Sequence, residues 1–145
     1  MATIERHADA VWEGGLADGR GSVSGASGAI RDQAVTWASR VESSDGRTSP
    51  EELIAAAHAS CFSMALSHEL GQRGATPDRL QVRATTSLEK GDAGIRISGI
   101  HLAVTGRVPG VDAVAFEEAA KAAGAGCPVS QALKAVPISV EARLE

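Results

Sequence analysis

Aromatic side chains are nearly missing from this sequence, with two Trp, two Phe and no Tyr, or 3% of 145 residues. A chain so short of stacking surfaces has little to offer single-stranded nucleic acid. There is no excess of positive charge either. Fourteen Lys and Arg against 18 Asp and Glu leave a formal net charge of −4, which argues against binding a phosphate backbone. No apolar run approaches the ~20 residues of a membrane span. The opening Met1-Ala2-Thr3-Ile4-Glu5-Arg6-His7 lacks the apolar stretch of a signal peptide. The expected setting is therefore cytoplasmic, with neither nucleic acid nor membrane as partner. Cysteine is also sparse. Cys61 and Cys127 lie 66 positions apart, too far for a CxxC metal or redox motif. Two cysteines in a cytosolic chain are reactive or buried more often than they form a permanent disulfide.

Hydrophobic content of 43% and charged content of 22% are ordinary for a globular fold. The length suits one domain, residues 1–145. The chain is organised around the run from Ser49 to Phe62, which reads as the start of a long helix. Ser49 is suited to the N-cap, Pro50 to the first helical position, and Glu52 completes a Ser-x-x-Glu capping box. The apolar pattern Leu53, Ala57, Cys61, Met64 continues at helical spacing to Gly71. That places Cys61 on a core-facing or interface-facing side of the helix.

Elsewhere the pattern predicts short strands. Residues 2–14 and 20–24, joined through Asp18-Gly19, read as a hairpin. A third strand is expected over Ala34–Ala38, followed by a mobile turn over 41–48. Leu80–Leu88 and Ile95–Gly106 alternate as strands, and a phase slip at Gly99 predicts a β-bulge. Asp112 can cap a helix over Ala113–Ala123 with Val114, Phe116 and Ala120 inward, stopped by Gly124 and Gly126. A short helix starting at Pro128 and a half-buried strand over Ile138–Leu144 close the chain. The sum is an α+β fold of about six strands. Because the long helix is apolar around much of its circumference, three preceding strands cover one side and a second chain is expected on the other.

Read from the residues alone, the chemistry points to a thiol pair. No GxSxG motif is present. His58 and Cys61 are i and i+3 on one helix, but no second pair would complete a metal site, and no cofactor is implied. Cys127 precedes Pro128 at the mouth of a short helix, where free N–H groups stabilise a thiolate. Helix-dipole reasoning alone favours Cys127 as the attacking thiol, but the residues by themselves do not settle the order. Cys61 is expected to be the deeper thiol, where burial alone raises the pKa, so a nucleophilic Cys61 would need a cation, for which Arg40, Arg47 and Arg20 are the candidates. His58 is read as a packed or pocket-lining histidine, Glu52 as a cap and Arg47 as a solvated loop residue. Trp12 and Trp37 are read as core or pocket wall.

The run Thr48-Ser49-Pro50-Glu51-Glu52-Leu53-Ile54-Ala55-Ala56-Ala57-His58-Ala59-Ser60-Cys61-Phe62, with Ala125-Gly126-Cys127-Pro128-Val129-Ser130 downstream, resembles the OsmC/Ohr family of thiol peroxidases. His58 in the Ala-Ala-His-Ala-x-Cys-Phe wording is similar to the OsmC branch. The resemblance extends to Trp12-Glu13-Gly14 and Asp92-Ala93-Gly94. It implies an OsmC-like fold, an intertwined homodimer, and reduction of organic hydroperoxides with recycling by a dithiol such as a lipoylated protein. It implies Cys61 as the peroxidatic thiol that becomes a sulfenic acid, and Cys127 as the resolving thiol that forms a disulfide with it. Glu51 matches the carboxylate that holds an active-site arginine. Arg40 matches the OsmC-branch arginine, and Arg20 lies slightly out of register with the Ohr-branch one.

Geometry adds a constraint. Glu51 and Cys61 are ten positions apart, ~15 Å along a helix, too far for one arginine to serve both easily. Two such helices crossing antiparallel near Ala55-Ala56-Ala57 would bring Glu51 of one copy to Cys61 of the other. The alternative function is a redox-sensing or small-molecule-binding module of the same fold that does not turn over.

Overall fold

Strands β1 (Ala8–Glu13) and β2 (Arg20–Gly25) pair antiparallel, with Trp12 opposite Gly21. In the computed structural model, which describes residues 1–145, a Cβ on Gly21 would stand 2.7 Å from Trp12 Cε3. The missing side chain is what lets the indole lie across the neighbouring strand. Strand β3 (Gln33–Val35) adds antiparallel to β2. The chain divides into two compact units, Met1–Leu53 and Ile54–Glu145, and this three-stranded sheet belongs to the first.

The expected strand over Ala34–Ala38 stops at Val35, and helix α1 (Trp37–Val41) follows. Thr36 causes the switch. Its Oγ1 accepts from the Ser39 N–H at 3.0 Å, while Ser39 Oγ accepts from the Thr36 N–H at 2.9 Å. The reciprocal cap closes a helical turn despite the β-branched Val35-Thr36 beside Trp37. Nor is the end of the 41–48 turn loose. Thr48 is buried, its N–H donates to Ala34 O at 3.0 Å, and its carbonyl accepts from Ser39 Oγ at 3.1 Å.

Helix α2 (Pro50–Gln72) begins as expected, with Ser49 Oγ accepting from the Glu52 N–H at 3.1 Å. Only half of the capping box forms, because Glu52 Oε1 instead accepts from Thr48 Oγ1 at 2.7 Å. The stripe through Ala57 and Met64, expected to face either core or interface, is not the core face. The buried stripe is His58, Phe62, Leu66 and Leu70, while Ala57 and Met64 are exposed. Alanine and apolar residues surround this helix, so periodicity gave its face no direction. Cys61 lies beside the buried stripe and is half-buried.

In the second unit, β4 (Arg79–Gly91) and β5 (Gly94–Arg107) pair antiparallel. The register steps from Ser87↔Gly99 to Leu88↔Ile97, leaving Ser98 as the extra residue of a bulge at the predicted place. Strand β6 (Ile138–Leu144) joins β5 in parallel, which requires a crossover. That crossover carries α3 (Ala113–Gly126) and α4 (Pro128–Ala132). Asp112 Oδ1 caps α3 by accepting from the Ala115 N–H at 2.8 Å. Gly124 does not end α3. A Cβ there would meet Val140 Cγ2 at 3.2 Å, so this glycine allows the helix to approach β6 closely. The inner face of α3 is Phe116, Ala119, Ala120 and Ala123, whereas Val114, expected inside, is exposed.

These residues form one apolar core with Phe62, Leu66, Leu70, Leu102, Val104 and Cys127. Gly106 on β5 makes room for Phe116, since a Cβ there would stand 2.5 Å from Phe116 Cζ. We expect Gly106→Ala to cost about 1–3 kcal/mol through overpacking. An unchanged denaturation midpoint would show that the ring is not confined there.

Candidate active site

The first unit contributes an ion pair. Arg40, in the last turn of α1, faces Glu51, in the first turn of α2. Arg40 Nη2 donates to Glu51 Oε1 at 2.8 Å, and Nε reaches Oε1 and Oε2 at 3.0 and 3.2 Å. The fork geometry fixes the guanidinium plane and leaves Nη1 free. The Glu51 side chain is 9% exposed and that of Arg40 is 31% exposed. The carboxylate is thus the buried anchor, and the cation faces outward. Arg40 also lines an apolar hollow of about 360 Å³ with Trp12, Leu16, Val35 and Trp37, so both tryptophans serve as pocket wall. Arg20 is placed otherwise. It lies at the solvent, 3.5 Å from Glu13, and it is Arg40 that Glu51 holds. Arg47 pairs with Asp45 in the loop, as a solvated residue would.

The second unit contributes the thiols. Cys127 is the backbone cap shared by two helices. Its N–H closes α3 on Ala123 O at 2.8 Å, and its carbonyl accepts from the Gln131 N–H of α4 at 3.0 Å. This double role fixes its Sγ 3.2 Å from Cys61 Sγ. The expected order of depth is reversed: Cys127 is 0% exposed and Cys61 half-buried, because the junction of α3 and α4 is packed into the core while Cys61 lies beside the buried stripe of α2. Cys61 opens onto a hollow of about 410 Å³ that includes Met64, Ala65, His68 and Pro128. A reagent in that hollow meets Cys61 first.

The electrostatics of the two thiols differ. Burial pushes the Cys61 thiol up, the Val129 N–H partly offsets this, and the neighbouring Cys127 adds to the rise. Burial also opposes a Cys127 thiolate. It is outweighed by hydrogen bonds from the Ser130 N–H, the Cys61 thiol, the Ser130 hydroxyl and the Val129 N–H, so the Cys127 pKa is lowered. Within the second unit a thiolate is thus favoured at Cys127 over Cys61, as the helix-mouth reasoning expected. No three His, Cys, Asp or Glu side chains converge as a metal ion would require.

His58 is fully buried and packed, with Nε2 2.7 Å from Ser130 Oγ. Ser130 was not singled out from the sequence. Its partner is 72 positions away, and nothing in Cys-Pro-Val-Ser marks the serine as more than a helix residue.

The OsmC-like protein family model matches residues 43–141, the span holding Glu51, both cysteines and the helices between them. The chain belongs to the OsmC-like family. It is 49% identical over 133 residues to peroxiredoxin OsmC of Escherichia coli (strain K12), covering 92% of each chain. Its structure is similar to the organic hydroperoxide resistance protein OhrB of Bacillus subtilis, at 27% identity and a TM-score of 0.72, covering 96% of this chain and 98% of that one. An OsmC-like protein from Mycoplasma pneumoniae shares the fold at 15% identity and a TM-score of 0.76, covering 99% of each chain. The α+β OsmC-like fold expected from the motifs is therefore the fold found.

Burial lowers the pKa of His58 from 6.5 and keeps the folded imidazole neutral. Below about pH 6.5 the unfolded state binds more protons than the folded one, so stability falls with acid by at most about 1.4 kcal/mol per pH unit. Denaturation between about pH 7 and pH 5 should show this slope, and His58→Gln should remove it. Equal slopes in both proteins would mean that the buried imidazole is charged.

Proposed function

We propose that this chain is a thiol-dependent peroxidase that reduces organic hydroperoxides to alcohols, with Cys61 as the attacking thiol and Cys127 as the resolving one. The observation that carries this reading is a cavity-facing thiol 3.2 Å from a fully buried second thiol. The Cys61 thiolate attacks one peroxide oxygen, the O–O bond breaks, and the alkoxide leaves and is protonated to an alcohol. Cys61 is left as a sulfenic acid. Cys127 sulfur then attacks Cys61 sulfur, the S–O bond breaks, and hydroxide leaves to become water. A disulfide needs the sulfurs to close from 3.2 Å to about 2.05 Å, a movement that rotamer adjustment at two helix positions can supply. A dithiol, such as a lipoyl group carried on a protein, reduces the disulfide and is itself oxidised.

The relatives named above support the chemistry, and the raised Cys61 pKa makes a cation necessary. We assign that cation to Arg40, held by Glu51, with Nη1 free for the thiolate and the peroxide. We further infer that the protein works in the cytoplasm as a homodimer of single 1–145 domains, in which the Arg40–Glu51 pair of one copy serves Cys61 of its partner. Two features support this. The buried apolar residues all lie at or beyond Phe62, and the buried residues of the first unit are the polar Ser39, Thr48 and Glu51. Trp12, Val11 and Leu16 are 43–61% exposed, and Ala56 and Ala57 of α2 are also exposed. Such apolar surface calls for a partner, and small side chains allow helices to cross closely.

Turnover separates the enzyme from a redox-sensing module. The wild-type protein should consume cumene hydroperoxide over many cycles with dihydrolipoamide. Cys61→Ser should abolish this, and Cys127→Ser should react once and stall as the sulfenate. A single stoichiometric oxidation in the wild type would favour the sensor. Arg40→Met should lower kcat/KM about a hundredfold or more, as loss of a preorganised charge does. Refolding Arg40→Met chains together with Cys61→Ser chains should restore activity, because a mixed dimer holds one intact shared site. No recovery in the mixture, or a stable and fully active monomer in sedimentation, would exclude the shared site.

A further inference from the structure

Trp12 is held from one side and left open on the other. A Cβ on Gly19 would stand 3.0 Å from Trp12 Cε2, and one on Gly21 would stand 2.7 Å from Trp12 Cε3, so bare backbone carries the ring. Its Nε1 donates to Gly14 O at 3.1 Å, which fixes how the indole is turned. The side chain is nevertheless 43% exposed, and its open side lines the hollow of about 360 Å³ shared with Leu16, Val35, Trp37 and Arg40. That volume falls within the range of small-molecule sites.

A guanidinium on an apolar wall restricts what can fill the space. Arg40 spends Nε and Nη2 on Glu51, and the two N–H groups of Nη1 remain. An apolar protein surface pressed into the hollow would strand those donors without acceptors. A small molecule with an apolar body and oxygens at one end suits both the indole and the guanidinium. Because the ring is already pinned, such a molecule binds without first ordering the wall.

We propose that Trp12 is a specificity-determining residue, whose open side takes the organic group of the peroxide while Arg40 holds the peroxide oxygens. The inference rests on the reading in which Arg40 orients a hydroperoxide for Cys61. Hydrogen peroxide and an organic hydroperoxide offer the same O–O bond to the guanidinium. Only the organic one has carbon to bury against the indole. An aryl group gains more than an alkyl group of similar size, since aromatic pairs are favourable beyond the area they bury. The selected class is therefore the bulky aryl hydroperoxide.

The test compares kcat/KM for cumene hydroperoxide and for hydrogen peroxide, with dihydrolipoamide as reductant, in wild type and in Trp12→Ala, Trp12→Gln and Trp12→Phe. The ratio of the two constants should fall about tenfold or more in Trp12→Ala and Trp12→Gln, and should stay within about threefold of wild type in Trp12→Phe. An unchanged ratio in Trp12→Ala and Trp12→Gln would overturn the proposal. So would an equal loss toward both peroxides, which is what a purely structural role gives. A second measurement needs no turnover. Cumyl alcohol, the product of cumene hydroperoxide, should perturb the indole fluorescence of the wild type, because both tryptophans line the hollow. Followed through Trp37, it should bind Trp12→Gln about tenfold more weakly. No perturbation in the wild type would overturn the proposal, and loss of the dimer in Trp12→Gln at the same time would show that a second copy of the chain fills the hollow. Absence of peroxide turnover in the wild type would count against the peroxidase reading alone, because the fluorescence titration judges Trp12 without it.

Discussion

The approach of two sulfurs to 3.2 Å is the constraint on which the second unit depends. Cys61 is carried by α2, which is locked into the core by Phe62, Leu66 and Leu70. Cys127 is carried by a helix–helix junction, where one residue ends α3 and begins α4. Neither cysteine backbone can drift without moving a helix that is packed against the β4–β6 sheet, which leaves side-chain rotation as the freedom of the sulfurs. Gly106 and Gly124 contribute by what they lack, since side chains there would push α3 away from the sheet. Close packing of this kind gives the backbone around a thiol pair a fixed geometry.

Charge follows from the same placement. Burial alone would raise both thiols. At Cys127 it is outweighed by polar groups at the start of α4, whereas Cys61, in the middle of a helix, has no free N–H of its own to use. In the first unit the buried residues are the polar Ser39, Thr48 and Glu51, and the Glu51 carboxylate holds the Arg40 guanidinium.

Much of this was legible in order along the chain. Local chemistry carried the N-cap at Ser49, the cap at Asp112, the bulge beside Gly99 and the start of α4 at Pro128, because each depends on residues within a few positions. The differences arise where a choice is made at long range. The strand-like run Ala34–Ala38 gives way to α1 after Val35, and the bond from Ser39 to Thr48 O supports the helical outcome. The core faces of α2 and α3 are not legible from pattern, because alanine-rich helices are apolar on several sides and only the sheet selects one. Ser130 stands in the Cys127 motif, but its contact with a histidine 72 positions earlier has no local signal.

By itself, then, the sequence determined the elements and the reactive groups: two cysteines without metal spacing, a carboxylate at a helix head, and a proline-started turn after Cys127. Those are consequences of side-chain chemistry and of hydrogen bonds closed within one turn. Only the tertiary structure decided that Arg40 rather than Arg20 is held by Glu51, that Cys61 is the accessible thiol and Cys127 the buried one, and that His58 faces Ser130. These depend on which faces are driven together when α2 and α3 bury their apolar sides. Burial free energy scales with area and not with the identity of the neighbour, so no local pattern could have specified them.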